Sequence, residues 1–181
     1  IALMWRFFCN LLKENKNWAE ISVKKRIVAI KKISKLLENK KKKYATLIST
    51  EMGKPIRESV SEIERSALVC DYFAENGERF LYEEEIKTDY GKSYIRLEPI
   101  GVVLGIMPWN FPFHQVIRFA IPQLLLGNRI ALKHSSTVPQ CAVEIEVMMN
   151  KALPENVYSN LFVAADDATK LISSKYVDGV A

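Results

Sequence analysis

Several residue types that would decide the class of this protein are scarce among its 181 residues. The three cysteines, Cys9, Cys70 and Cys141, lie far apart and form no cluster with His114 and His134, which argues against a disulfide scaffold and a zinc site. No apolar run approaches the roughly 18 residues that a membrane span needs. Gly and Pro, seven of each, are too few for a low-complexity linker. The sequence predicts a globular protein of a reducing compartment, the cytoplasm, with no membrane partner.

The amino terminus carries neither a basic leader nor a small-residue cleavage site. Its apolar start, Ile1 to Leu12, is interrupted by Arg6 and Asn10, so we expect no signal peptide. Because the chain begins with Ile, we expect its natural start to lie upstream.

The net charge of +5 is concentrated near the start of the chain. Twelve Lys and Arg stand against three acids between Lys13 and Lys43. The lysines alternate with a stripe of apolar residues at helical spacing, Ile27, Ile30, Ile33 and Leu37. This pattern is typical of lysines on the solvent-exposed face of an amphipathic helix. Binding to nucleic acid is the competing interpretation, but no nucleic-acid motif or aromatic interleaving supports it, and we predict no such partner.

The chain divides into three regions by pattern. Residues 1–85 read as helical, with Cys70 on a long apolar stripe that starts at Ile56 and with a break at Gly53 and Pro55. Residues 86–98 predict a β-ribbon with strands Ile86–Asp89 and Ser93–Leu97. Residues 99–181 alternate short apolar strands with helices, which predicts βαβ units and a parallel sheet.

The boundaries predicted for this third region are strands at Gly101–Ile106, Ile130–Lys133, Val157–Val163 and Asp178–Ala181. The helices between them are predicted at Phe113–Leu126, Pro139–Ala152 with Thr137 as a cap, and Ala165–Ser174. The pattern therefore predicts the α/β fold class with a parallel sheet. Because the pattern stops inside a strand, we expect an incomplete sheet, and so either a fragment or a chain completed by another.

The first candidate site follows the strand that ends at Ile106. The loop Pro108-Trp109-Asn110-Phe111-Pro112 lies where parallel sheets bind ligands, and its prolines restrict the backbone. The neutral amide of Asn110 can donate to an oxygen that develops negative charge. The alternative is an Asn in a proline-rich turn.

The second candidate site follows the next strand, at Lys133-His-Ser-Ser136. A lysine followed by hydroxyl side chains can bind a phosphate or a ribose diol. The alternative is a surface lysine before a helix cap.

Other familiar site patterns are missing from the sequence. Neither histidine has an acid partner in recognisable spacing, so neither is assigned a catalytic role. The sequence contains neither a GxGxxG loop nor a Walker lysine.

Taken together, these segments closely resemble the NAD(P)-dependent aldehyde dehydrogenase superfamily, and the resemblance implies a Rossmann-type parallel sheet, incomplete here, preceded by a helical region and a β-ribbon arm. The resemblance runs from about Trp18 to the last residue in the family's order, and it includes three further segments, Glu51-Met-Gly-Lys-Pro55, Pro122-Gln-Leu-Leu-Leu-Gly-Asn128 and Tyr176-Val-Asp-Gly-Val-Ala181. The run Lys-His-Ser-Ser and the segment Asn160-Leu-Phe162 are most similar to the succinate-semialdehyde dehydrogenase branch.

The resemblance implies a role for each matching residue. Asn110 would form part of the oxyanion hole around the thiohemiacetal. The cofactor, NADP or NAD, would be bound by Lys133 at the adenosine ribose, with Ser136 where many NAD-preferring members carry a glutamate, so NADP should be accepted. The predicted cofactor-binding residues are Ile106, Met107, Pro108, Trp109, Lys133, Ser135 and Ser136. The ribbon resembles the arm that members use to form homo-oligomers.

One part of the family pattern is missing from these 181 residues. In family members a cysteine thiolate attacks the aldehyde and a glutamate activates water. None of the three cysteines matches the nucleophile's motif, and the glutamate would follow the last residue. We therefore expect an amino-terminal part of an enzyme that oxidises an aldehyde, inactive alone. The alternative is a non-catalytic split-gene or degraded product that acts only through a complementing chain.

Overall fold

Helices make up the first half of the computed structural model, which describes residues 17–181. They are α1 (Asn17–Glu20), α2 (Val23–Asn39), α3 (Lys41–Met52) and α4 (Ile56–Phe80). Helix α2 buries the predicted stripe, Ile27, Ile30, Ile33 and Leu37, and leaves most of its lysines exposed, so the amphipathic helix is confirmed. The apolar start and Cys9 lie outside the described residues.

The break between α3 and α4 is built from the residues that predicted it. Gly53 ends α3 with a φ of 73°, a left-handed conformation that costs a glycine little, and Pro55 directly precedes α4. Cys70 is fully buried on α4, which confirms its place on the apolar stripe.

The predicted ribbon is present, but its boundaries differ. Strands β1 (Glu84–Ile86) and β2 (Ser93–Ile95) pair antiparallel, with Glu84 opposite Ile95. The predicted first strand, Ile86–Asp89, is wrong, because Thr88 takes part in the turn, where its hydroxyl bonds the carbonyl of Tyr90 and the hydroxyl of Ser93. Both faces of the ribbon are largely exposed, so alternation of residue type did not define its register.

The second half forms the predicted parallel sheet. Its elements are β3 (Val102–Met107), α5 (Pro112–Leu126), β4 (Arg129–His134), α6 (Pro139–Ala152), β5 (Tyr158–Asn160), α7 (Ala165–Ile172) and β6 (Gly179–Val180). The strand order is β5-β4-β3-β6, and each neighbouring pair is parallel. The α/β fold class is confirmed. Strand β5 is shorter than the predicted Val157–Val163, and β6 is shorter than the predicted Asp178–Ala181.

Side chains from the sheet pack on both of its faces. Val103, Ile130 and Leu132 join the large core formed with α2 to α6. Val102, Leu104 and Ala131 join a smaller cluster that includes Leu171 of α7. Burial on both faces explains why the strands read as continuous apolar runs. Among residues 17–181 no helix combines the length and the apolar character needed to cross a membrane.

Candidate functional site

The two candidate segments meet at one edge of the sheet. In the parallel register Ile106 pairs with Lys133, and Met107 pairs with His134. The backbone N–H of Ser135 donates to the carbonyl of Met107 at 3.0 Å, which extends the ladder one step further. The loop that follows β3 and the loop that follows β4 therefore leave the sheet side by side.

The loop after β3 is open to solvent. The side chains of Ile106 and Trp109 are 38% and 49% exposed, Pro108 and Asn110 are exposed, and Met107 is half-buried. Pro112 opens α5 at a position where its missing N–H costs no helical hydrogen bond. The amide of Asn110 is thus on an accessible loop with a buried strand on one side and a helix start on the other.

Two side chains from the helical first half of the chain, Lys54 and Glu62, hold the backbone of this loop from its buried side. The ammonium of Lys54 donates to the carbonyl oxygen of Asn110 at 2.8 Å and to Glu62 at 2.5 Å. The other oxygen of Glu62 accepts from the N–H groups of Phe113 and His114 at 2.9 and 3.1 Å. The start of α5 is thus capped by a carboxylate from α4.

His134 connects the two loops. Its Nδ1 accepts from the N–H of Ser135 at 2.8 Å, so Nε2 carries the ring proton and donates to the carbonyl of Pro112 at 3.0 Å. Burial lowers the pKa of His134 below its usual value, which favours this neutral form.

The loop after β4 borders a cleft of about 320 Å³. Lys133 is half-buried and its ammonium lies 3.4 Å from the carbonyl of His134. The cleft is lined by His134, Ser135, Ser136, Pro139, Ala142, Asn160, Leu161, Phe162, Val163 and Ala164. None of these lining residues is acidic, and the buried Oδ1 of Asn160 has no hydrogen-bond partner among residues 17–181. The cleft is uncharged and mostly apolar, with polar groups from His134, Ser135, Ser136 and Asn160, and Lys133 directly precedes the first of its lining residues.

The predicted Thr137 cap of α6 is wrong. Val138 is the residue before the helix, and Thr137 instead bonds the hydroxyl of Ser135. Glu51 of α3 takes the capping role, because its carboxylate accepts from the N–H groups of Gln140 and Cys141 at 2.7 and 2.8 Å. Both helices that follow the site loops are therefore capped by glutamates from the helical first half of the chain, α5 by Glu62 and α6 by Glu51.

Neither described cysteine has the character of a nucleophile. Cys70 and Cys141 are fully buried, and burial raises the pKa of each thiol far above its ordinary value. In the described part of the chain no group of His, Cys, Asp and Glu could hold a metal ion.

Sequence reasoning missed four residues that shape this site, Glu51, Lys54, Glu62 and His134. Glu51 and Lys54 lie in a segment that carried the family resemblance, but no role was assigned to them. Glu62 could have been noticed as a charged residue one position before Ile63 of the buried stripe.

Comparison with known proteins gives a consistent result. The aldehyde dehydrogenase family matches residues 10–181. A probable NADP(+) succinate-semialdehyde dehydrogenase of Synechocystis sp. is 41% identical over 80% of this chain and 32% of its own length. The succinate-semialdehyde dehydrogenase [NADP(+)] of Deinococcus radiodurans is 36% identical over 92% of this chain and 35% of its own length. This chain thus spans about a third of these relatives.

Solved structures agree with the sequence relatives. The succinic semialdehyde dehydrogenase of Streptococcus pyogenes, crystallised with NADP+ as the cofactor, superposes with a TM-score of 0.91 at 30% identity, over 96% of this chain and 39% of that one. An aldehyde dehydrogenase of Brucella melitensis superposes with a TM-score of 0.92 at 26% identity, over 99% and 38%. The chain belongs to the aldehyde dehydrogenase family.

Proposed function

We propose that this chain supplies the oxyanion donor and the adenosine side of the cofactor cleft to an enzyme that oxidises an aldehyde to a carboxylic acid. The observation that carries the proposal is the register of β3 against β4, which sets the Asn110 loop beside Lys133 and the cleft. The side-chain amide of Asn110 donates to the aldehyde oxygen as that oxygen becomes an alkoxide. A donor fixed in advance stabilises such a charge without reorganising during the reaction.

The cofactor of this reaction is NADP or NAD, which accepts the hydride of the aldehyde when bound. Lys133 pairs with phosphate or ribose oxygens, and Ser135 and Ser136 donate hydroxyl hydrogen bonds beside it. The absence of acidic residues from the lining of the cleft favours NADP, since no carboxylate repels a 2′-phosphate. Ile106 to Trp109 border the nicotinamide side. The names of the relatives from Synechocystis sp. and Deinococcus radiodurans, both NADP(+) enzymes, support the same cofactor.

The substrate that these relatives support is succinate semialdehyde. Neither Cys70 nor Cys141 can attack its carbonyl, because both thiols are buried and held protonated. The nucleophile therefore belongs to residues other than these two. Because Cys9 does not match the nucleophile's motif either, we propose that the chain by itself does not oxidise the aldehyde. Incubation of the pure chain with NADP and succinate semialdehyde should give no NADPH.

We propose that the ribbon is covered by a second copy of the chain, because it resembles the arm that family members use to form homo-oligomers. Tyr90, Tyr94, Ile95 and Leu97 of the ribbon and its flanks are between 50% and 84% exposed. Exposed aromatic and aliphatic side chains on a short two-stranded ribbon are typical of a surface that another chain covers. We propose that the ribbon serves homo-oligomer formation.

The variant Asn110→Ala tests the proposed function in the active enzyme that carries this sequence. Loss of one oxyanion donor should lower kcat about 100- to 1000-fold. The dissociation constant for NADP should stay unchanged, because the adenosine cleft is on the neighbouring loop. An unchanged kcat would remove Asn110 from the catalytic machinery and with it the proposal.

A further inference from the structure

We propose that the buried ion pair between Lys54 and Glu62 is a positioning device for Asn110. The inference rests on the proposed function of Asn110 and adds to it the residues that determine where its amide is held. Lys54 lies in the turn between α3 and α4, and Glu62 lies on α4, two turns beyond Pro55. Neither residue belongs to the sheet that carries the site.

The ammonium of Lys54 has three N–H groups, and three acceptors surround it. It lies 2.5 Å from Glu62 Oε2, 2.8 Å from the carbonyl oxygen of Asn110 and 3.8 Å from the centre of the Phe111 ring. A cation at this distance from an aromatic face is attracted by the ring. Lys54 therefore holds two consecutive residues of the loop, one by its backbone and the next by its side chain.

Glu62 holds the other end of the same segment. One of its oxygens accepts from the N–H groups of Phe113 and His114, and the other accepts from Lys54. The pair therefore fixes a carbonyl at residue 110 and two amides at residues 113 and 114. Between these anchors lie Phe111 and Pro112, and the ring of Pro112 restricts the backbone further.

The burial of the pair argues for a role in geometry. The side chain of Lys54 is 7% exposed and that of Glu62 is 0% exposed. A buried ion pair adds little net stability, because the cost of removing two charges from water offsets most of their attraction. An apolar pair of similar size is often at least as stable. What an apolar pair cannot do is to donate to the carbonyl of Asn110 and accept from the start of α5.

The position of the amide matters because the oxyanion donor must be in place before the charge forms. A displacement of about 1 Å at a reacting group can cost about 100-fold in rate. The loop itself is exposed at Trp109 and Asn110, so packing around their side chains does not fix it. The Lys54–Glu62 pair supplies the anchor from the buried side.

The decisive variant is the double substitution Lys54→Met with Glu62→Gln. It removes both charges together, so no unpaired charge is left in the core, and it should melt close to the parent protein. The single variants K54M and E62Q each leave one buried charge unpaired and serve as a second test. The control is Lys41→Met, which removes the Lys41–Glu64 ion pair between α3 and α4 at 2.7 Å; the hydrogen bonds of Lys41 go to Glu38 and Glu64 and not to the loop.

In the active enzyme that carries this sequence, the double variant should lower kcat about 10- to 100-fold with an unchanged KM for NADP. K41M should keep both constants. A folded double variant with the parent's kcat, in an enzyme where Asn110→Ala does lower kcat, would overturn the positioning role.

A second measurement needs no activity and uses the 181-residue chain itself. The side-chain amide resonances of Asn110 should shift in the double variant and in each single variant. In the two variants that carry E62Q, the N–H groups of Phe113 and His114 should exchange with solvent at least tenfold faster, because a neutral amide is a weaker acceptor than a carboxylate. Unchanged resonances and exchange would overturn the positioning role even if Asn110→Ala left kcat unchanged. A shift of these resonances alongside an unaffected Asn110→Ala would contradict the proposed function alone.

Discussion

The imidazole of His134 joins the two site loops through Pro112. Its Nε2 donates to the carbonyl oxygen of Pro112 at 3.0 Å, while its Nδ1 accepts from the backbone N–H of Ser135 at 2.8 Å. A second ring proton would turn Nδ1 into a donor that faces another donor. The hydrogen bond from Ser135 therefore requires the neutral ring, whereas the bond from Nε2 to Pro112 does not.

This requirement predicts how stability depends on pH. Burial lowers the pKa of His134 in the folded chain, whereas an unfolded histidine titrates near about 6.5. The stabilisation that the neutral ring of His134 gives to the folded chain is therefore fully present above about pH 6.5. It is lost as the pH falls from there through the folded pKa, because only the unfolded chain takes up the proton.

Urea denaturation of the parent and of His134→Gln at a series of pH values from about 7.5 to 5 measures the effect. The glutamine amide can donate to Pro112 but does not titrate, so the variant should lose less free energy of unfolding on acidification. The pKa of His114 is also lowered by burial, but this residue is present in both proteins and cancels in the comparison. Parallel pH profiles would show that His134 does not contribute.

The cap that Glu51 provides for α6 predicts a second stability change. Its carboxylate accepts from the N–H groups of Gln140 and Cys141, which have no partner within their own helix. Glu51→Ala should lower the free energy of unfolding by about 1 kcal/mol, the usual cost of a lost helix cap. Glu75→Ala, at an exposed position within α4, is the control and should have little effect. Equal stability of the two variants would contradict the role of Glu51.

These caps also show why the sequence predicted the sheet better than the site. The strands and helices of residues 99–181 follow from local patterns, since an apolar run or a helical stripe is complete within about ten residues. The register that places Ile106 beside Lys133 follows from a general rule for parallel sheets. The fold and the neighbourhood of the two loops were therefore predictable.

The contacts that hold the loops in place were not predictable from local pattern. Glu62 lies 51 residues before Phe113, and Glu51 lies 90 residues before Cys141. No local preference assigns a glutamate on one helix to the N-terminus of another. The Thr137 cap was predicted because threonine is a frequent cap, but a carboxylate from α3 occupies the N–H groups of that helix start.

The backbone conformation of Gly101 leads to a third prediction about stability. Its φ is 126°, and a Cβ at this position would collide with the carboxylate of Asp178. The same carboxylate accepts from the N–H of Val102 at 2.8 Å, next to the pairing of β3 with β6. Gly101→Ala should lower the free energy of unfolding by about 1–3 kcal/mol, because it combines backbone strain with a steric clash.

Gly91→Ala is the matched control for this variant. Gly91 lies in the turn of the ribbon, and an added Cβ would meet open space there. Chemical denaturation of both variants compares the two positions directly. If the two lost equal stability, the conformation of Gly101 would not be the cause.

The uncharged lining of the cleft predicts the outcome of adding a carboxylate. Ser136 lines the cleft, whereas its exposed neighbour Thr137 does not. Under the proposed function, Ser136→Glu places a negative charge near the ribose, where it repels the 2′-phosphate of NADP but accepts a hydrogen bond from the 2′-hydroxyl of NAD. We expect the dissociation constant for NADP to rise about tenfold or more, which corresponds to about 1.4 kcal/mol, and that for NAD to stay constant or fall.

Calorimetric titration of both nucleotides into the enzyme that carries this sequence measures the ratio of the two constants. Thr137→Glu adds the same charge one residue further along and should leave that ratio unchanged, which separates a local contact from a change in overall charge. A loss that is equal for NADP and NAD in Ser136→Glu would mean that the new carboxylate does not face the ribose. In that case the adenosine end of the cofactor would have to lie elsewhere than in the cleft beside Lys133.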